Sequence, residues 1–100
     1  MFASSDVWGS RHLHAFALHA GVRRELLVPE DAHERVRRTL SFPSERSLRL
    51  LGARLGAERD PVWGRPDAIE IQVWATRFEP GTLAPSAYLL RARVVPVERD

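Results

Sequence analysis

Apolar and polar side chains alternate through the last third of the chain in two runs. Ile69, Ile71, Val73 and Ala75 fall on one face of the first run, and Tyr88, Leu90, Ala92 and Val94 on one face of the second. A period of two is the signature of a half-buried strand. Between the runs lies residues 79–86, Glu-Pro-Gly-Thr-Leu-Ala-Pro-Ser, whose prolines and glycine suit a connection. The two runs therefore predict a β-hairpin with a core face and a solvent face. Matching the apolar faces sets Ala75 opposite Leu90, Val73 opposite Ala92 and Ile71 opposite Val94. A slip of one residue would set Val73 against an arginine, so the pattern favours one register.

Residues 11–20, Arg-His-Leu-His-Ala-Phe-Ala-Leu-His-Ala, fit two periods. As a strand they place His12, His14, Phe16 and Leu18 on one face, with His19 on the other. As a helix they gather Leu13, Phe16, Ala17 and Ala20. Gly21, the β-branched Val22 and the short run 25–28 before Pro29 favour a hairpin turning at residues 20–23.

The middle of the chain has a longer period. Pro29-Glu30-Asp31 supplies a proline and two acids at a helix start, and Ala32, Val36 and Leu40 recur every fourth residue. Ser41-Phe42-Pro43 ends that helix, and Ser44 is a good N-cap for a second. There Leu48, Leu51 and Leu55 form the buried stripe, Leu50 widens it, and Gly56 reads as a C-terminal cap. Gly52, inside this helix, suggests a close helix–sheet approach. Residues 59–67 read as a loop anchored by Trp63. The element order β-β-α-α-β-β predicts an α+β fold: an antiparallel sheet of about four strands with two short helices on one face. Residues 1–100 read as a single domain, with 1–10 either an edge strand or a loose lead.

An apolar share of 44% supports a core without staples, and the absence of cysteine removes disulfides, thiolate metal sites and cysteine nucleophiles. All 15 basic residues are arginine, which fits the codon usage of a GC-rich, bacterial genome. The 13 carboxylates are interspersed among them, so a net charge of +2 implies no concentrated basic stripe. No window is long and apolar enough to span a membrane, and no secretory leader is apparent, so a cytoplasmic protein is the expectation.

Chemistry-bearing patterns are few. His12-x-His14 on a strand would point two imidazoles the same way, a possible pair of metal ligands lacking an obvious third. No nucleophile elbow, glycine-rich phosphate loop or other cofactor motif occurs, so no cofactor is expected. In the expected register the outer hairpin face carries Trp74, Arg91, Arg93, Gln72 and Phe78. Aromatics and arginines of this kind dominate protein-binding hot spots and also stack single-stranded nucleic acid. The sequence thus points to a small non-catalytic module that binds a protein partner or itself as a homodimer. Nucleic-acid binding through Trp74, Arg91 and Arg93, and metal chemistry at His12 and His14, are the alternatives.

Overall fold

A computed structural model describes residues 10–77, Gly81 and 86–97. Four antiparallel strands, β1 (Ser10–His19), β2 (Val22–Glu25), β3 (Ala68–Arg77) and β4 (Ser86–Pro96), form one sheet in the order β2-β1-β3-β4. Between the two hairpins run a 3-10 turn (Glu30–Ala32) and two helices, α1 (His33–Ser41) and α2 (Glu45–Gly56). This is an α+β fold with both helices on one face of the sheet. No helix among the described residues is long and apolar enough to cross a membrane.

Residues 11–19 are strand. The chain reverses through Ala20-Gly21, both with positive φ (51° and 84°), the geometry of a two-residue type I′ turn. The first helix starts with a 3-10 turn after Pro29, whose fixed φ suits a helix entrance. Arg11 donates to the carbonyls of Leu40 and Ser41, placing a cation at the C-terminal end of α1. At the start of α2, the Ser44 hydroxyl accepts from the Ser47 amide, while the Ser47 hydroxyl accepts from the Ser44 amide, which also donates to the Phe42 carbonyl.

The core lies between the helices and the two central strands. Ala15 and Ala17 from β1, Ile69, Ile71 and Val73 from β3, and Leu48, Leu51 and Leu55 from α2 are buried together. Small residues on β1 and larger ones on β3 leave room for both helices. Helix α2 comes closest to the sheet where it lacks side chains. A methyl group on Gly52 would sit 2.7 Å from Cβ of Val95, and one on Gly56 would sit 2.6 Å from a methyl of Val97. Gly56 thus serves close packing rather than capping, and Ala57 ends the helix with right-handed helical angles. Leu50 does not widen the buried stripe: it is 41% exposed on the flank of α2.

The β3–β4 register differs from the expected one. Ile69, Ile71, Val73 and Ala75 are buried as the alternation predicts, but their partners are Val95, Arg93, Arg91 and Tyr88. Leu90 has no partner, because the register shifts between Val73 and Trp74. Ala92 and Val94 therefore lie opposite Gln72 and Glu70, on the helix-free face. The expected penalty for placing arginines beside the core does not arise, because β4 is an edge strand. Arg93 reaches out to Glu45 at the start of α2 (2.6 Å), and Arg91 is exposed. Packing of Val95 and Val97 against the two helix glycines accounts for the register better than avoidance of arginine does.

Candidate functional site

The helix-free face of the sheet is built from alternate residues of all four strands. His12, His14, Phe16 and Leu18 of β1 lie beside Trp74, Gln72, Glu70 and Ala68 of β3. Glu25 and Arg23 of β2 flank them on one side, and Leu89, Ala92 and Val94 of β4 on the other. A line of polar contacts crosses this surface. The Trp74 indole donates to Gln72 Oε1 (2.9 Å), Gln72 Nε2 donates to Glu70 Oε2 (2.9 Å), and Arg23 pairs with the other Glu70 oxygen (3.5 Å). Arg23 also lies over the Phe16 ring, 5.1 Å from its centre.

This network separates the residues that the sequence had grouped. Trp74 and Gln72 are on the open face, half-buried and bonded to each other. Arg91 and Arg93 are opposite Val73 and Ile71, on the helix side. Trp74 therefore has Leu89 rather than Arg91 across from it, and Glu70 pairs with Arg23 rather than Arg93. Phe78 lies outside the described residues. A single aromatic–arginine surface for nucleic acid is not formed by Trp74, Arg91 and Arg93.

His12 and His14 do project to the same face, with ring centres 5.2 Å apart and rings perpendicular. His14 is engaged on its other side by Glu25, whose carboxylate is 2.8 Å from Nδ1. Among the described residues no group of three or more histidines and carboxylates is placed to hold a metal ion. Edge-on ring packing and one carboxylate contact account for the pair.

A second cluster forms where the loop before β3 covers the end of β1. His19 is buried on the helix side of the sheet, with Trp63 against it at 5.5 Å between ring centres. Arg24 lies over Trp63 and pairs with Asp60 at 3.3 Å. Asp60 Oδ1 accepts from the backbone amides of Val62 (2.7 Å) and Trp63 (2.8 Å), closing the tight turn that presents the indole. Those two amides, more than Arg24, hold the Asp60 carboxyl below the usual carboxylate range. Trp63 is thus the loop anchor expected of it, although 49% of it stays exposed. Its partners His19, Arg24 and Asp60 are scattered in sequence and carry no common spacing.

The third surface is the far edge of β4, the outermost strand of the sheet. Among the described residues no strand pairs with that edge, which runs for 11 residues. Tyr88, Leu89, Leu90 and Val94 on it are 39–50% exposed. Beside it, α2 and the end of β4 enclose a groove of about 640 Å³ lined by Leu50, Ala53, Val95 and Val97, with Arg49, Arg65 and Arg93 around it. A signal existed in the sequence: the stripe Arg46, Arg49/Leu50 and Ala53 on α2, continued by Ala57 at its C-terminal cap, mixes arginines with small and apolar residues.

No family model, no curated protein and no solved structure matches this chain. Its function must be argued from these surfaces.

Proposed function

We propose that this chain is a non-catalytic protein-interaction module that accepts an additional β-strand along the free edge of β4, from a second copy of itself or from another protein. The observation that supports this reading is an edge strand of 11 residues with four large apolar side chains partly in water and no described segment over it. An edge of this length offers unpaired amides and carbonyls as a template, and proteins that do not use such an edge generally shorten or cover it. Pairing by added strand obtains affinity from main-chain hydrogen bonds and selectivity from alternate side chains. The chemistry-bearing pairs elsewhere are already occupied: His14 by Glu25, and Trp74 by Gln72.

Sedimentation velocity from low to high micromolar concentration tests the homotypic case, and Leu89→Lys is expected to lower the dimer fraction. Extended peptides with and without backbone N-methylation test the heterotypic case. A monomer at every concentration, together with equal behaviour of the two peptide forms, refutes strand addition.

A further inference from the structure

We infer that the strand accepted at β4 is an acidic segment of another protein, with an apolar side chain in the groove between α2 and β4 and carboxylates on Arg49 and Arg93. The inference rests on the strand-addition reading and adds the chemistry of the partner.

Placement is the first argument. Helix α2 lies across β3 and β4, with Gly52 over Val95 and Gly56 over Val97 and Ile69. A fifth strand would lie roughly 4.8 Å beyond β4. That position is beneath the flank of α2 that carries Arg49, Ala53 and Ala57, so the groove is the space over the added strand. Side chains on one face of that strand would enter it. Ala53 and Ala57 leave room for a branched or aromatic side chain, and Leu50, Val95 and Val97 give it apolar neighbours.

Charge is the second. Helix α2 and strand β4 contain a single acid, Glu45, against arginines 46, 49, 54, 91 and 93. Arg54 is directed elsewhere, to Asp31 and Glu58. Arg93 shares Glu45. Arg46, Arg49 and Arg91 make no ion pair among the described residues. Of the arginines that line the groove, Arg49 is the one an incoming carboxylate meets without displacing an acid, and Arg93 lies beside it, held by Glu45; guanidinium is the group suited to bidentate carboxylate binding.

The same charges disfavour a second copy. Pairing two β4 edges about a two-fold axis would bring two sets of these arginines to one seam, with only two Glu45 side chains to offset them. Like charges facing one another across paired strands are destabilising, and across an interface they select against the wrong partner. Nucleic acid would satisfy the arginines but could not extend the main-chain ladder.

The test uses the full chain and capped, fluorescent peptides in which a central valine has glutamate, or lysine, two residues away on either side and threonine at the intervening positions, so that valine and charge share the face toward the groove, followed by fluorescence anisotropy at low salt. The glutamate peptide is expected to bind at least about tenfold tighter than the lysine peptide, N-methylation at alternate residues to abolish binding, and Arg49→Glu to reverse the preference. Ala53→Trp, which fills the groove, should weaken binding of both peptides. Positions 49 and 53 are exposed, so both variants retain the fold. Equal binding of glutamate and lysine peptides, both lost on N-methylation, overturns the acidic partner and leaves strand addition standing. Binding that survives N-methylation overturns both. An oligonucleotide that displaces the glutamate peptide and binds more tightly also overturns the inference.

Discussion

Replacing Gly52 with alanine puts two well-calibrated effects in opposition, and the structure decides which one prevails. In an exposed helix the change is favourable by about 0.8–1.0 kcal/mol, because glycine carries the larger entropy loss on folding. Here the new methyl would meet Val95 at Cβ and at one Cγ, both at 2.7 Å, and at the other Cγ at 3.1 Å. Rotation of Val95 cannot clear it, because Cβ is fixed to the β4 backbone. Either α2 lifts from the sheet or the end of β4 moves outward. Overpacking of this kind typically costs about 1–3 kcal/mol. Subtracting the helical gain leaves a net loss centred on about 1 kcal/mol (range about 0–2), or roughly 4–8 °C in Tm at the centre for a domain of this size. Urea denaturation followed by far-ultraviolet circular dichroism measures it. Gly56→Ala serves as the internal comparison: its close neighbour is a single methyl of the partly buried Val97, which can turn away, so its loss should be smaller. If Gly52→Ala stabilises the chain by the full gain of an unobstructed helix, about 0.8–1.0 kcal/mol, the close approach of α2 to β4 is wrong, and with it the placement of the groove.

Three further outcomes check other joints of the fold. Ala20→Asn should stabilise the chain by about 0.5–1 kcal/mol, because Ala20 occupies left-handed backbone in a turn that favours Asn-Gly; thermal denaturation reads the gain. Ser44→Ala should cost about 1 kcal/mol by removing the acceptor for the Ser47 amide, and chemical denaturation should show an unchanged slope with a lower midpoint. Acid should loosen the Trp63 turn. The Asp60 carboxyl titrates lower in the folded chain than in the unfolded one, so its contribution is complete above the usual carboxylate range and is lost as pH falls through the lower, folded value. An acid-induced change in tryptophan fluorescence that disappears in Asp60→Asn would show this, and an identical acid profile in both proteins would contradict it.

The central elements were legible because full burial there is confined to one face and unambiguous. Ile69, Ile71 and Val73 alternate with Glu70 and Gln72, and Leu48, Leu51 and Leu55 recur at helical spacing, so the pattern alone assigns the faces. Strand β4 was not legible in the same way. Adjacent Val94 and Val95 fit either face, and an edge strand lets arginines sit on the core side while their heads reach solvent. Assigning Trp74, Arg91 and Arg93 to one surface failed for that reason. The His19–Trp63–Arg24–Asp60 cluster depends on a long loop folding back over β1, which no local periodicity encodes.

The extra residue at Leu90 has a consequence for self-propagating assembly. Before it, Tyr88 faces the helix side, whereas after it Arg91, Arg93 and Val95 do, so the facing parity of β4 reverses partway along. A regular strand laid on this edge can match one half only, and would present its side chains to the wrong side along the other. Layered fibril growth needs a long, uniform template that each new chain copies. If the strand-addition proposal holds, β4 is a docking edge of finite length, one that can be occupied once without seeding a fibre.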